Sequence, residues 1–90
     1  MAQIVKKILT EHFDLVANGK KRYELRLGDF IANEGDELVL QEWDSKSGSY
    51  TGRAVTKKIN FVRKFSLEEL YQFWPKKEIE QYGIQILQLD

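Results

Sequence analysis

Gly19-Lys20-Lys21-Arg22-Tyr23-Glu24-Leu25-Arg26-Leu27 is the stretch on which the reading of the fold turns. After the glycine the residues alternate, with Tyr23, Leu25 and Leu27 on one side and Arg22, Glu24 and Arg26 on the other. A period of two predicts a half-buried strand over 20–27, the most strongly patterned strand in the chain. Upstream, Ile4 to Leu9 reads as a first strand. Thr10 then caps a short helix with Glu11 and Asp14 near its positive end, and Phe13, Val16 and Ala17 form its apolar face. Gly19 falls where a left-handed residue ends such a helix.

Downstream of the alternating stretch, Gly35-Asp36 turns the chain into a strand from Glu37 to Trp43, and Asp44 to Ser49 is a polar hairpin loop. Tyr50 to Phe65 stays β-like for so long that a straight strand would span roughly 50 Å, wider than a small domain. It must bend or break, and Lys57, interrupting the set Val55, Ile59, Phe61 and Phe65, marks a bulge or barrel corner. Ser66-Leu67-Glu68-Glu69 is a capping box, followed at helical spacing by Leu70, Tyr71 and Trp74. That spacing assigns Phe73 and Trp74 to the core. Pro75 opens a further short helix that Gly83 closes, and Ile84 to Leu89 reads as a final strand. About five strands and two or three short helices, in an α+β order, predict a small, strongly curved sheet or barrel with helices at its openings.

The chain has 90 residues, 42% of them hydrophobic, with five Phe, four Tyr and two Trp. That supports one domain over 1–90. The absence of cysteine excludes disulfides, thiolate metal sites and a Cys nucleophile, and fits a reducing, cytoplasmic setting. His12 is the single histidine, so no multi-His metal site is expected, and no cofactor fingerprint is present. No apolar run exceeds three residues, so neither a membrane span nor a leader is expected. The 14 basic and 14 acidic residues cancel, which argues against coating of duplex DNA by bulk charge. Locally the charges segregate: Arg53, Lys57, Lys58, Arg63 and Lys64 fall in a run without an acid. Neutral overall and basic in one stretch fits a small anionic ligand or a short single strand.

Residues 19–26, read as Gly-x-Lys-x-x-Glu-x-Arg after a short helix, resemble the signature of the ASCH domains of the PUA-like superfamily. Gly35-Asp36-Glu37-Leu38-Val39-Leu40 is similar to the family's second landmark, a Gly-Asp turn into a strand. Glu42-Trp43-Asp44 and Tyr50-Thr51-Gly52-Arg53 resemble a bacterial ASCH-like subfamily. The resemblance implies a PUA-like β-barrel with a cleft beside the helices, suited to RNA or to a nucleotide or nucleoside.

On this reading Lys21, Glu24 and Arg26 form the ligand site. Arginine offers a planar fork for phosphate or a base edge, lysine a mobile charge, and the carboxylate accepts from an exocyclic amine. Strict alternation sets Lys21 on the face opposite Glu24 and Arg26, unless the ladder begins after it. Lys20, Arg53, Lys58 and Tyr50 are secondary candidates at the rim, with Tyr50 or Trp43 as a stacking surface worth about 1–3 kcal/mol per base. The competing explanation is structural: cations past a helix end answer its dipole, and strand Glu/Arg pairs are ordinary surface features. Lysines on a sheet edge also protect it from pairing.

An enzymatic alternative follows from the resemblance. One ASCH branch is a small amidohydrolase acting on acetylcytidine with a lysine, a threonine and a glutamate. Lys21 falls on the lysine position, and Glu24 stands where that branch has threonine. Lys21 and Glu24 would then be the catalytic pair, with Glu68 or Glu69 as the third group. Both of these glutamates are also explained by the capping box. A second alternative is a protein-interaction module presenting an exposed strand edge.

Overall fold

The structure, a computed structural model, describes residues 1–89, so Asp90, the last residue of the expected 1–90 domain, lies outside it. Three strands and three helices follow in the order β1 (Gln3–Leu9), α1 (Thr10–Ala17), β2 (Glu37–Asp44), β3 (Ser49–Lys58), α2 (Leu67–Phe73) and α3 (Lys76–Tyr82). The strands form one sheet in the order β1-β2-β3. β1 runs parallel to β2, and β2 antiparallel to β3. A parallel pair needs a crossover, and α1 with residues 18–36 supplies it.

One face of the sheet is the core. Ile8, Leu38 and Leu40 pack with Phe13 and Val16 of α1, and Ile4, Val55 and Ile59 close around them. Phe13 and Val16 are three apart, so both point from α1 onto the sheet. Thr10 does not cap α1 but is its first residue, the cap position being Leu9. The Thr10 Oγ1 instead donates to the Trp43 carbonyl at 3.3 Å and ties the helix start to β2. Gly19, at φ +81°, turns the chain out of α1.

Buried Asp36 secures the entrance to β2. Its Oδ1 accepts from the Ala2 N–H and its Oδ2 from the Asn33 N–H, both at 2.9 Å, while its carbonyl accepts from the Ile59 N–H at 2.8 Å. The Ala2 and Asn33 N–H groups hold its carboxyl below the usual aspartate value.

The closed barrel expected from the sequence is not formed: the sheet is open and has three strands. Residues 20–27 alternate but enter no ladder, and Leu25 and Leu27 remain 67% and 79% exposed. The free edge of β1 is met there by a side chain, the Arg26 Nη2 donating to the Lys7 carbonyl. Residues 84–89 are likewise not a strand. They reach 20–27 through one side-chain amide: Gln88 Nε2 donates to the Lys20 carbonyl at 3.0 Å, and its Oε1 accepts from the Arg22 N–H. Closure requires backbone pairing at both edges, and side-chain bonds do not supply it.

The β-like run from residue 50 to 65 breaks at Lys58. The register shift in β3 lies opposite Glu42, at Thr51-Gly52-Arg53, and not at Lys57. Ser66 caps α2 through the Glu69 N–H, α3 follows Pro75, and Gly83 ends it. Neither α2 nor α3 has a buried residue. Phe73 and Trp74, expected in the core, are 65% and 50% exposed and pack edgewise on each other.

Candidate functional site

The candidate site is assembled where α1 ends and the chain returns along the free edge of β1. The Lys21 N–H donates to the Leu15 carbonyl at 2.8 Å, which folds residues 19–21 back beneath the helix. Because residues 20–27 are irregular, the alternation that would separate Lys21 from Glu24 does not hold. The two pair at i,i+3, Lys21 Nζ to Glu24 Oε1 at 3.4 Å. Arg26 Nε donates to Glu24 Oε2 at 2.6 Å, and its Nη2 to the Lys7 carbonyl at 2.5 Å. Lys21 also lies 4.9 Å above the Tyr23 ring.

All three side chains are part-buried and line one cavity of about 350 Å³ together with Lys7, Ile8, Leu9, His12, Tyr23 and Leu25. Its polar wall carries the cations of Lys21 and Arg26 against one carboxylate, while the Lys7 ammonium rests on the Trp43 ring. Glu24 holds the two cations in fixed relation, one on each oxygen. Arg26 spends Nε and Nη2 on these bonds, and among the described residues Nη1 has no partner. The arrangement is chemically suited to receiving an anion beside a carboxylate that accepts from an N–H donor.

None of the four secondary candidates lines the cavity. Lys20 does not line the cavity; its backbone is tied to Asn18 and Gln88. Lys58 ends β3 opposite Glu37. Arg53 is drawn into a separate cluster on the core face. Its Nε and Nη2 donate to Glu42 Oε1 and Oε2, each at 2.7 Å, and its Nη1 to Asp14 Oδ1 at 3.2 Å. Its guanidinium carbon sits 4.5 Å from the Phe13 ring centroid. The Thr51 hydroxyl adds a bond of 2.5 Å to Glu42 Oε1. These donors outweigh the cost of burial and hold the Glu42 carboxyl at about 2, while Glu42 raises Arg53 above its ordinary value. Arg53 is thereby committed to joining α1 to the sheet.

Tyr50 lies beside the site. Its ring meets Trp43 edge-on at 4.9 Å, and Lys7 Nζ rests 3.9 Å from the Trp43 centroid. Sequence reasoning does not assign Lys7 or His12 to the cavity, and it takes Glu42 only as part of the Glu42-Trp43-Asp44 resemblance, with no structural role. For Glu42 a signal existed: it is the charged member of the alternating set Leu38, Leu40, Glu42 that enters the core. Among the described residues no three His, Asp or Glu side chains are grouped to hold a metal ion. Nor, among them, is any helix long and apolar enough to cross a membrane.

Fold and cavity together define a small open-sheet domain with a cation-lined hollow at a strand edge. The chain belongs to the family described as a domain of unknown function, DUF3850, which matches residues 5–73 and so includes every residue lining the cavity. It is similar to an uncharacterized 12.9 kDa protein in the GpA 3′ region of Escherichia phage P2, 43% identical over 60 residues. The match takes in 67% of this chain and 53% of the phage protein, so the chain spans about half the length of that relative. No solved structure matches the chain.

Proposed function

We propose that the chain binds a nucleotide, or a short stretch of RNA, through a phosphate held in the cavity beside α1. Lys21 and Arg26 meet the anion, and Glu24 aligns them and accepts from a base amine. The observation that carries this reading is the meeting of Lys21, Glu24 and Arg26 on one hollow, within 3.4 Å and 2.6 Å of each other through Glu24. The resemblance of residues 19–26 to the ASCH signature supports it. The absence of net charge favours single-stranded or nucleoside-like ligands over duplex.

Titration with uridine monophosphate, followed by backbone amide shifts, tests it. The largest shifts are expected at Lys21, Glu24 and Arg26, and Arg26→Ala is expected to weaken binding by roughly tenfold. Shifts confined to other parts of the chain, or affinity unchanged by Arg26→Ala, would overturn the assignment.

A second reading is a metal-free amidohydrolase acting on a modified nucleoside. It is favoured by His12, Lys21 and Glu24 lining the same cavity. Lys21 would position water and a carboxylate would move protons. Glu24 already accepts from a cation on each oxygen, which ranks binding first. Acetate released from acetylcytidine, and lost in Lys21→Ala, would reverse that order.

A further inference from the structure

The sheet face opposite α1 carries Lys7, Leu9, Val39, Gln41, Trp43, Tyr50, Thr56 and Lys58 by strand alternation and register. α1 lies on the other face, and neither α2 nor α3 has a buried residue. Two aromatic rings stand together there. Trp43 and Tyr50 are cross-strand partners, their planes at 80°, and Tyr50 is 52% exposed. An ammonium rests on the pair: Lys7 Nζ is 3.9 Å from the Trp43 centroid and 6.0 Å from that of Tyr50.

This pair adjoins the cavity. Lys7 and Leu9 both line the hollow; Lys7 supplies the carbonyl that receives Arg26, and Leu9 is the register partner of Trp43. The charge on this face is cationic, from Lys7 and Lys58, apart from Glu37, which accepts from Gln3 at 3.0 Å. Beyond Arg53 the chain continues to Lys64 without an acid.

We infer that Trp43 and Tyr50 are a stacking platform for the base of a neighbouring nucleotide, so that the ligand is single-stranded RNA of more than one residue. The inference rests on the phosphate reading of the cavity. An aromatic ring accepts any base face, whereas a solvent-exposed lysine such as Lys7, resting on the half-buried Trp43 beside the exposed Tyr50, holds its ring weakly and is readily displaced. A base that takes the place of the Lys7 ammonium on Trp43 frees that charge for the phosphate linking it to the nucleotide in the cavity. A paired base in a duplex has no such face to offer, which commits the occupant to a single strand.

The test compares uridine monophosphate with a fluorescein-labelled uridine octamer at low salt. The octamer is expected to bind on the order of tenfold or more tightly than the monophosphate. Trp43→Ala is expected to remove most of that gain while leaving monophosphate affinity within about twofold. A Trp74→Phe chain, in which Trp43 is the sole tryptophan, is expected to lose fluorescence as octamer is added and to show no such change with the monophosphate. This arm holds even if Trp43→Ala fails to fold. Monophosphate binding with no gain for the octamer, or octamer binding without quenching of Trp43, would overturn the platform alone. Failure of both ligands to bind would overturn the cavity reading and the platform together.

Discussion

The Arg53 guanidinium closes on the Glu42 carboxylate through two bonds of 2.7 Å, one to each oxygen, and Glu42 is only 1% exposed. From β3 this arginine also reaches Asp14 and the Phe13 ring of α1. One side chain thus joins the last strand, the middle strand and the helix that roofs the core. Fork-to-fork pairing of this kind is the strong form of the charge-assisted bond. Its removal leaves a buried carboxylate with the Thr51 hydroxyl alone.

Arg53→Ala is therefore expected to lower the melting temperature on the order of 10 °C. Arg53→Lys should recover part of the loss, because an ammonium serves Glu42 as a point charge without the fork. Thermal unfolding followed by circular dichroism measures both. An Arg53→Ala chain as stable as the parent would show that the pair contributes nothing net.

Stability should fall on the acid side, and Glu42 should cause much of that fall. Its folded pKa is about 2 against an ordinary value of 4.5, depressed by the Arg53 and Thr51 bonds. A depressed folded pKa means that the unfolded chain binds the proton more readily. The resulting stabilisation is complete above the ordinary value and is lost as pH falls from 4.5 towards 2. Asp36, held below 3.8 by the Ala2 and Asn33 N–H groups, acts in the same sense. Melting temperatures between neutral pH and pH 2 should decline through this window. Glu42→Gln should flatten the curve while lowering its neutral plateau.

The cavity trio should behave differently from the Arg53 pair. Lys21, Glu24 and Arg26 sit at a strand edge and retain 18%, 18% and 29% of their side-chain exposure. Arg26→Ala and Glu24→Ala are expected to weaken uridine monophosphate binding and to move the melting temperature by only about 2 °C or less. Unfolding in both variants would make the trio a structural bridge.

Much of this organisation was legible in the sequence because it is local. Phe13 and Val16 at helical spacing, Gly19 after them, and Ser66 three residues before Glu69 each give the element that their spacing predicts. The barrel failed because alternation records which side of a segment is apolar and does not record what pairs with it. Residues 22–27 alternate fully, yet Arg26 and Gln88 contact their neighbours through side chains. Leu67, Leu70 and Trp74 likewise have helical spacing, but no residue of α2 is buried. The meeting of Lys21 with Glu24 depends on the fold-back under Leu15, a tertiary bond that no period reports.

Binding of the uridine octamer should be salt-sensitive but only moderately so. Lys21 and Arg26 offer two phosphate contacts and the freed Lys7 a third, and each releases about 0.7 counterions from a single strand, so log K should fall against log salt with a slope of roughly −2. A slope near zero would remove phosphate from the interface. Conversion of Lys58 to alanine separates the two faces of β3 in this respect. Should the strand extend past Tyr50 towards Lys58, the slope becomes shallower by roughly 0.7.

The bulge in β3 is what brings Thr51 and Arg53 onto the same carboxylate. Regular alternation would place these two residues on one face, with Gly52 on the other, and a single residue of β2 would oppose only one of them. The register shift sets Thr51-Gly52-Arg53 against Glu42 alone, and Gly52 makes it possible by adopting φ +92°. A Cβ at Gly52 would meet nothing within 4 Å, so the effect of Gly52→Ala is conformational and not steric. It is expected to cost about 1 kcal/mol or more, since a left-handed backbone is unfavourable for alanine. Gly52→Asn, which tolerates that conformation better, should cost less. Equal losses in both variants would mean that the bulge relaxes to a regular ladder, and the Glu42 carboxyl should then titrate nearer its ordinary value when followed by NMR.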